Sequence, residues 1–484
     1  MVLSEQQRIM VLGCASHVGK SIVVTALCRI FAKRGVDVVP FKSQNMSLNS
    51  WVTREGGEMG IAQAIQAWAA GVEPSVHMNP ILLKPKGDAI SQVVVQGKPF
   101  ADVSAGDYYM SVDEMMEFVL DSVQRLSSHE LMVIEGAGGA AEINLYERDI
   151  ANIRIARALK PTIILVGDIE RGGVFASLYG TWMLLPEDIR PLVKGFIINK
   201  LRGDPTLLGD GPRMIEELTG MQFLGVLPHT RLNIPSEDSV SIEDKRGGPR
   251  ADVDIAVIRL PRISNFTDFE PLERVASVRY VDLHESLGSP DVVILPGTKN
   301  TVDDLAQLWS SGMAERVLEA ARKGIPVIGI CGGYQMLGRR VVDVGVEGKA
   351  GIHEGLGLLD VSTVFDAYEK RTVQVEKTIT GDGPILGRVK GMKVRGYEIH
   401  MGKTTSTRPA FEDDGCISED GLVIGTYLHG LFDNACMVDA LMGHVCEKKG
   451  IPPVCRPNDD DPFDELARLF EEHIDMDKLY SMIA

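Results

Sequence analysis

The stretch from Gly329 to Gly338, with the sequence GICGGYQMLG, constrains the fold of this chain more than any other. An apolar run from Ile325 to Ile330 leads directly into Cys331, and two glycines follow. This order predicts a strand, a tight turn and a helix that starts near Tyr334, and such a turn exposes one side chain at its tip. A cysteine at that tip lies near a helix N-terminus, where the helix dipole favours the thiolate.

The glycines that follow Cys331 support a catalytic interpretation of this cysteine. Gly332 and Gly333 leave room for a substrate and allow backbone N–H groups to face a developing oxyanion. The alternative is a buried cysteine that packs as a small apolar residue. The Gly-Cys-Gly-Gly context, together with a distant His429, favours a nucleophile over that alternative.

A second Gly-rich turn, GCASHVGKS from Gly13 to Ser21, follows the apolar run Ile9–Leu12 and precedes a helical pattern. This order is typical of a phosphate-binding loop, in which backbone N–H groups hold phosphate at a helix N-terminus. Lys20 would reach the β and γ phosphates, and the Ser21 hydroxyl would bind Mg²⁺. The loop is one residue longer than the standard spacing.

Acidic and basic residues near the predicted strand ends are candidates for the metal and phosphate. Glu135 ends the run Leu131–Glu135, where a carboxylate can face a phosphate loop and supply the hard oxygen that Mg²⁺ prefers. Glu58 is a second metal candidate, and Lys42 ends the second predicted strand. Each of these residues could instead be an ordinary surface charge.

Strand and helix patterns alternate along both halves of the chain. Nearly all-apolar strands separated by helices predict an α/β fold with parallel sheets covered on both faces. The pattern predicts a phosphate-loop α/β domain over residues 1–235 and a charged, Gly/Pro-containing linker over 236–252. It also predicts a second α/β domain over 253–446 and a helical tail over 447–484. The predicted elements are Ile9–Leu12, Ser21–Arg34, Val36–Phe41, Met59–Ala70, Leu131–Glu135, Thr162–Val166, Gly195–Asn199, Val253–Arg259, Val292–Pro296, Ile325–Ile330 and Phe463–Ile474.

Composition restricts the location and the partners. No run approaches about 20 apolar residues, so we expect no membrane span. The 7 cysteines are scattered without a CxxC pair, and the N-terminus is polar, which together predict a reduced, cytoplasmic protein. A net charge of −17 argues against nucleic-acid binding, so attraction for any anionic substrate must come from local Lys and Arg. The oligomeric state stays open, with a homo-oligomer as one alternative.

Several long motifs resemble those of the cobyric acid synthase family, and the resemblance covers essentially the whole chain. In the front half these are FKSQNMSLNS, MNPILLKP, SQVVVQG, EGAGG and GDIERGG, at residues 41–50, 78–85, 91–97, 135–139 and 167–173. In the rear half they are RLPRISNFTDF, PGTKNT and GYEIHMG, at residues 259–269, 296–301 and 396–402.

The resemblance implies a fold and an activity. The fold is an N-terminal phosphate-loop parallel-sheet domain like that of dethiobiotin synthetase, followed by a C-terminal class I glutamine amidotransferase α/β domain. The activity is amidation of the b, d, e and g carboxylates of adenosylcobyrinic acid a,c-diamide, with glutamine and ATP consumed for each amide. The partners are therefore the small molecules corrinoid, glutamine and ATP, with Mg²⁺ as the metal.

The resemblance also implies roles for individual residues. Cys331 matches the glutaminase nucleophile and His429 its base, while Gly297 and Gly332 match the positions that supply oxyanion-binding N–H groups. The positions that match the nucleotide and metal sites of the synthetase relatives are Gly13, Gly19, Lys20, Ser21, Lys42, Glu58, Glu135 and Asn199, the last of which reads adenine there. Candidates for corrinoid contacts are Gln44, Asn45, Asn49, Lys84, Lys86, Gln92 and Arg171.

The chain departs from the wider glutaminase pattern at one position. Many class I glutaminases carry a glutamate two residues after the histidine, where this chain has Leu431. The third member of the triad is therefore unassigned, with Asp433 and Glu398 as nearby acids. Three other functions stay open: a cobyrinic acid a,c-diamide synthase, an ATPase switch protein with a degenerate glutaminase domain, and a plain glutaminase that feeds a partner subunit.

Overall fold

The computed structural model describes residues 6–87, 90–104, 112–229, 252–452 and 461–483. These residues form two compact units. The first unit contains residues 6–47, 59–229 and 461–483, and the second contains residues 48–58 and 252–452. Each unit therefore includes a piece of chain that is remote in sequence from the rest of it.

The elements of residues 6–229 alternate as the sequence predicts. The strands are β1 (Gln7–Gly13), β2 (Val38–Phe41), β3 (Gln44–Met46), β4 (Ser50–Val52), β5 (Glu58–Gly60), β6 (Ile81–Gly87), β7 (Ile90–Val95), β8 (Lys98–Ser104), β9 (Leu131–Glu135), β10 (Thr162–Asp168), β11 (Val193–Leu201) and β12 (Gln222–Pro228). The helices are α1 (Lys20–Lys33), α2 (Ile61–Ala70), α3 (Val112–Arg125), α4 (Ile153–Leu159), α5 (Val174–Leu184) and α6 (Gly211–Thr219).

The main sheet of the first unit has the strand order β12-β11-β10-β1-β9-β2, and every pairing in it is parallel. Ile9 and Val11 of β1 belong to one buried cluster, while Met10 and Leu12 are equally buried and point to the opposite face. The predicted parallel sheet with both faces covered is thus confirmed. A smaller sheet has the order β3-β6-β7-β8.

The elements of residues 252–483 complete both units. The strands are β13 (Asp254–Arg259), β14 (Ile263–Ser264), β15 (Ser277–Asp282), β16 (Val292–Leu295), β17 (Gly297–Thr298), β18 (Val327–Ile330), β19 (Arg340–Asp343), β20 (Gly351–Glu354), β21 (Ser362–Phe365), β22 (Arg371–Thr378), β23 (Lys393–His400), β24 (Lys403–Thr405), β25 (Cys416–Ile417) and β26 (Val423–Thr426). The helices are α7 (Glu270–Glu273), α8 (Thr301–Ser310), α9 (Met313–Arg322), α10 (Gly332–Leu337), α11 (Ala435–Lys449), α12 (Pro462–His473) and α13 (Met476–Ile483).

The main sheet of the second unit has the order β15-β13-β16-β18-β26-β25, and only the β25–β26 pairing among its described strands is antiparallel. The carboxyl ends of β16, β18 and β26 meet at one edge of this sheet. Gly297, Cys331 and His429 follow these three strands within three residues. Ligand sites of parallel α/β sheets lie at this edge.

The division into units differs from the predicted domains in two places. Residues 48–58 fall in the second unit, although the sequence pattern assigns them to the front domain. Helices α12 and α13 belong to the first unit, where Leu466 and Phe470 are buried in the same cluster as α1. Asp475 N–H also bonds the Leu224 carbonyl at 2.7 Å. The described part of the tail is thus built into the core of the first unit, because its apolar face is covered.

Two further expectations concern the linker and the membrane. The predicted linker over residues 236–252 lies outside the described residues, except for Asp252. Within the parts of the chain that the structure describes, no helix has the length and apolar character needed to cross a membrane.

Candidate active sites

Cys331 lies at the junction between β18 and α10 with an unusual backbone conformation. Its φ is 53° and its ψ is −111°, and it is the N-cap of α10. Its N–H bonds the Thr426 carbonyl at 2.8 Å, and its carbonyl accepts from Gln335 N–H at 3.1 Å. A non-glycine residue held at positive φ by such bonds is a mark of a nucleophile elbow. The helix begins at Gly332, two residues before the predicted start, so the turn is tighter than expected.

The imidazole of His429 is held by a buried carboxylate. His429 Nδ1 lies 2.7 Å from Asp268 Oδ2, and both side chains are almost fully buried. The other carboxylate oxygen, Asp268 Oδ1, accepts from Gly430 N–H at 2.9 Å. Asp268 lies in a short 3-10 helix, Phe266–Phe269, just after β14. With Nδ1 bonded to the carboxylate, the remaining ring nitrogen is available to exchange a proton with a neighbouring group.

The charges around His429 favour its protonated form. Burial alone would lower its pKa, but the charge and hydrogen bond of Asp268 raise it, and the hydrogen bond and charge of Cys331 add to that effect. The resulting pKa of His429 is about 10. The imidazole of His429 therefore lies between the Asp268 carboxylate and the Cys331 sulfur, an order of groups that allows proton exchange between a thiol and an imidazole.

Glycines keep the space around this pair clear. A Cβ on Gly297 would lie 3.2 Å from His429 Cε1, and a Cβ on Gly332 would lie 2.7 Å from Thr298 Cγ2. A Cβ on Gly333 would lie 2.0 Å from the Leu295 carbonyl oxygen. Helix α10 can therefore approach the end of β16 only because these positions lack side chains. The N–H of Gly332 is in the first turn of α10, where backbone donors lack intrahelical partners.

Glu398 and Asp433, the two acids that lie near the triad residues in sequence or motif, do not have the buried contact with His429 that Asp268 has. Glu398 is ion-paired with Lys377 at 2.9 Å and with Arg371. Burial would raise its pKa, but hydrogen bonds from His400 and Lys377 lower it to about 2. Asp433 is exposed, and Leu431 is fully buried in the core.

Sequence reasoning missed Asp268, which is 161 residues from His429 along the chain. It lies in the RLPRISNFTDF motif, whose unusual sequence was the only signal that could have singled it out. Its position after a two-residue strand gives no periodic pattern.

The phosphate-loop residues surround the N-terminus of α1. Gly19 is the N-cap with φ 99°, and Lys20 is the first residue of the helix. Lys20 Nζ donates to the Gly138 carbonyl at 2.8 Å and to the Ala15 carbonyl at 3.2 Å. A Cβ on Gly13 would lie 3.0 Å from this ammonium and 2.6 Å from a Val18 methyl. The Lys20 ammonium thus lies over the loop, where an anionic group would replace neutral carbonyls as its partner.

Polar groups from three elements converge on Glu135 at the end of β9. Ser21 Oγ donates to Glu135 Oε1 at 2.9 Å, and Lys42 Nζ lies 2.8 Å from the same oxygen. The Gln66 amide donates to Glu135 Oε2. The side chains of Lys42 and Glu135 are 5% and 1% exposed, so this ion pair is desolvated and each charge depends on the other.

This arrangement fits Mg²⁺ at the Ser21 and Glu135 oxygens. A hydroxyl and a carboxylate within 2.9 Å of each other are hard oxygen donors of the kind that Mg²⁺ binds beside nucleotide phosphates. Glu58 differs from this pair, because its carboxylate is buried in an ion pair with Lys370 of the second unit.

Asn199 lies near the end of β11 and contacts the phosphate loop directly. Its Nδ2 donates to the Val18 carbonyl at 2.8 Å, and its Oδ1 accepts from Lys200 N–H at 2.8 Å. A Cβ on Gly19 would lie 2.1 Å from the same Nδ2. Asn199 therefore fixes the loop, and Gly19 is required by this close approach as well as by its φ.

The candidate corrinoid residues separate into three places. Gln44 and Asn45 are in β3, and Lys84 and Gln92 face each other across β6 and β7 of the same small sheet. Lys86 pairs with Asp102 at 2.6 Å on this sheet, and Arg171 is exposed in the turn before α5. Asn49 is in the second unit, where its Oδ1 accepts from Phe266 N–H at 3.0 Å.

Two family profiles match the chain, one for each half. The "CobQ/CobB/MinD/ParA nucleotide binding domain" profile matches residues 9–239, and the "CobB/CobQ-like glutamine amidotransferase domain" profile matches residues 254–437. These matches confirm the predicted fold class, a nucleotide-binding α/β domain followed by a glutamine amidotransferase domain.

Curated relatives match over almost the full length. A "Probable cobyric acid synthase" from Methanococcoides burtonii is 60% identical over 99% of this chain and 98% of that protein. A protein of the same description from Methanocella arvoryzae is 60% identical over 98% of each chain. Among solved structures, a match to PurLQS from Thermotoga maritima covers 41% of this chain and 99% of the matched chain, with a TM-score of 0.31 and 19% identity. The full-length relatives and the two profiles show that this chain belongs to the cobyric acid synthase family of glutamine-dependent amido-ligases.

Proposed function

We propose that this chain uses ATP and glutamine to amidate the b, d, e and g carboxylates of adenosylcobyrinic acid a,c-diamide, giving adenosylcobyric acid. The observation that carries the proposal is the presence of two sites in one chain. One is the cysteine–histidine–aspartate arrangement of Cys331, His429 and Asp268. The other is the phosphate loop with Ser21 bonded to Glu135.

The rear site would release ammonia from glutamine. The Cys331 thiolate attacks the glutamine carboxamide carbon, and the His429 imidazolium donates its proton to the departing ammonia. Asp268 holds the imidazole in orientation and stabilises its charge. Backbone N–H groups of Gly297 and Gly332 bind the oxyanion, at about 3–4 kcal/mol for each donor. Water then attacks the thioester with His429 as base, which frees glutamate and regenerates the thiolate.

The front site would activate the acceptor carboxylate. A carboxylate is a poor acceptor for ammonia, because an oxide would have to leave. Attack of a corrinoid carboxylate oxygen on the γ phosphorus of ATP gives an acyl phosphate and ADP, and ammonia then displaces phosphate to form the amide. Lys20 and Lys42 offset the charge on the transferring phosphoryl group. Mg²⁺ bound to Ser21 and Glu135 would screen the phosphate oxygens. Glu58 stays a predicted metal ligand.

Most of the corrinoid contacts that we propose lie on the small sheet of the first unit. They are Gln44, Asn45, Lys84 and Gln92, and Arg171 in the turn before α5 is a further candidate. The three of them that are at most 4% exposed, Asn45, Lys84 and Gln92, share one face of the sheet. Buried polar groups hold fixed orientations, which suits recognition of several carboxylates on one rigid ring. A cytoplasmic location and the oligomeric state stay predictions.

Two variants test the proposal. Cys331→Ala should abolish glutamine-dependent amidation but retain amidation when ammonium chloride replaces glutamine. Lys20→Ala should retain glutamine hydrolysis but lose amidation with either nitrogen source. Amides added to each corrinoid are counted by mass spectrometry. Glutamine-dependent amidation by Cys331→Ala would contradict the proposal.

The same measurement separates the second candidate, cobyrinic acid a,c-diamide synthase, which would amidate other carboxylates. The SQNMSLN and RISNFTDF segments favour the first assignment. Amidation of cobyrinic acid, without amidation of its a,c-diamide, would favour the second. An ATPase switch protein would hydrolyse ATP but add no amide to either corrinoid.

A further inference from the structure

A short piece of the front half of the sequence is built into the second unit beside the candidate glutaminase site. This piece, residues 48–58, includes β4. Asn49 Oδ1 accepts from Phe266 N–H at 3.0 Å, and Ser50 N–H donates to Asn265 Oδ1 at 3.1 Å. Asn265 itself has a left-handed backbone with φ 52°. These bonds therefore fix the entry to the short helix that carries Asp268.

The same piece contacts Tyr397, whose ring stacks on His429. The ring centroids of Tyr397 and His429 are 5.3 Å apart with an interplanar angle of 17°. The Tyr397 hydroxyl donates to the Ser50 carbonyl at 3.0 Å and accepts from Asn265 Nδ2 at 3.2 Å. The Trp51 ring meets the Tyr397 ring edge-on at 4.8 Å. Burial, followed by the charges of Asp268 and Asp433, raises the pKa of Tyr397 well above its usual value, so the hydroxyl stays a donor.

Both supports of the imidazole thus depend on residues 49–51. Asp268 contacts the ring through Nδ1, and the Tyr397 ring covers one of its faces. The backbones also pair, because His429 N–H donates to the Tyr397 carbonyl at 2.9 Å and Tyr397 N–H donates to the His429 carbonyl at 3.2 Å. A base displaced by about 1 Å can lose roughly 10²-fold in rate, because proton transfer requires close and aligned groups. A segment that supports both contacts is placed to control that alignment.

We propose that Asn49, Ser50 and Trp51 are positioning residues for the glutaminase base, which they hold through Tyr397 and through the loop that carries Asp268. The inference rests on the proposed glutaminase role of Cys331 and His429. It assigns to Asn49 a place in glutamine hydrolysis and not in corrinoid binding. It also makes glutamine hydrolysis dependent on a segment from the nucleotide-binding half of the sequence.

The test compares Trp51→Ala, Trp51→Phe and Trp309→Ala in the full-length chain. Trp309 is a matched control, because it is also a half-buried tryptophan of the second unit but lies on α8 beside Ile352 and Glu354. Glutamate release from glutamine is measured as a function of glutamine concentration and pH. For Trp51→Ala we expect kcat to fall about tenfold or more while KM changes less than about twofold. The alkaline limb of the pH profile should move, and Trp51→Phe should restore most of the rate.

Tyr397→Phe provides a second, independent measurement. It keeps the ring on His429 and removes only the hydroxyl that bonds Ser50 and Asn265. We expect a partial loss of kcat. The double variant Trp51→Ala/Tyr397→Phe should lose less than the product of the single losses, because both changes cut the same support.

The inference would be overturned by any of three results. Trp51→Ala could keep the wild-type kcat and pH profile, Trp309→Ala could lose as much as Trp51→Ala, or ammonia-dependent amidation by Trp51→Ala could fall as much as its glutaminase rate. A thermal midpoint for each variant shows whether a loss follows from unfolding. Failure of the proposed function has a different signature, since Cys331→Ala would then still hydrolyse glutamine.

Discussion

At the scale of single residues, the contact between Asp268 and His429 leads to a prediction about pH. The raised pKa of His429 means that its charge stabilises the folded protein fully below the ordinary value of 6.5. This stabilisation is lost as the pH rises through the raised value of about 10. Asp268→Asn removes the carboxylate that raises the pKa. We therefore expect the alkaline limb of kcat/KM for glutamine to move to lower pH, and kcat to fall about 10²- to 10⁴-fold.

Rates of glutamate release between about pH 6 and pH 10.5 check this expectation, because that range includes both the ordinary pKa of histidine and the raised pKa of His429. Asp360→Asn is a suitable control, because Asp360 is an exposed aspartate of the same unit paired with Arg339 on the surface. An Asp268→Asn enzyme with the wild-type alkaline limb would show that another group sets the proton affinity of His429.

Glu135 supports a second prediction at this scale. Glu135→Gln preserves the shape of the side chain but removes the negative charge that Lys42 and Ser21 both contact. We expect ATP-dependent amidation to fall at least about 10²-fold, since the proposed metal ligand and the partner of a buried lysine are both lost. Glutamine hydrolysis should remain, and the exposed Glu187→Gln should behave as wild type. Equal loss of both activities would instead indicate that Glu135 supports folding alone.

The predictability of single residues depended on their local context. Cys331, Lys20 and Glu135 each end or follow an apolar strand, so position along the chain was enough to indicate their surroundings. Asp268 could not be found this way, because only the folded chain brings it to His429. Glu58 has a carboxylate that the sequence predicts as a metal ligand, and no pattern in the sequence indicates its ion pair with Lys370, which is 312 residues away.

At the scale of elements, the packing of α10 on β16 supports a third prediction. Gly333→Ala would place a Cβ 2.0 Å from the Leu295 carbonyl oxygen, and backbone atoms cannot move aside as a flexible side chain can. We expect destabilisation of about 1–3 kcal/mol and loss of glutamine hydrolysis, because α10 must shift and carry Cys331 with it. Chemical denaturation and glutamate release measure the two effects.

Gly443→Ala is the matched control for this change. Gly443 is also a helical glycine of the second unit, but its Cβ would meet only the end of the Arg388 side chain, at 3.4 Å. Alanine should be neutral or slightly stabilising there, since it has the higher helix propensity. If both alanine variants behave alike, the close approach of α10 to β16 does not limit the site.

Helix α12 supports a fourth prediction. Phe470 is fully buried in the cluster that includes α1, so Phe470→Ala should cost the first unit about 3–5 kcal/mol. We expect faster hydrogen exchange in α1 and β12, measured by mass spectrometry, with exchange in β16 and β18 unchanged. Phe100→Ala is the control, because Phe100 is half exposed. Unchanged exchange in α1 and β12 would mean that the tail adds no stability to the first unit.

Elements with long apolar strands were predictable because burial on both faces leaves a continuous signal. The structure confirms β9 at Leu131–Glu135 without any shift of its ends. Short strands such as β4 and β14 were not predicted, since two or three residues carry no periodicity and form only against a partner. The same limit hid the helix that carries Asp268.

At the scale of the whole molecule, order along the sequence was a good guide to the two sheets and a poor guide to the limits of the two units. A change in composition can indicate a linker, but it cannot indicate that a short segment within one half of the sequence belongs to the other unit. Residues 48–58 are such a segment in the second unit, and residues 461–483, near the C-terminus, belong to the first unit. Both cases are set by tertiary contacts, which local patterns do not encode.

Residues 48–58 lie in the front half of the sequence but belong to the second unit, and this limits any attempt to separate the two activities genetically. A single cut after residue 235 would place Trp51 on one polypeptide and the Tyr397 ring that it covers on the other. The rear polypeptide would then expose an apolar ring next to its base, and the front polypeptide would carry an unsupported strand. A glutaminase polypeptide encoded by its own gene would need another side chain to cover the Tyr397 ring. The present arrangement therefore favours a single, undivided reading frame.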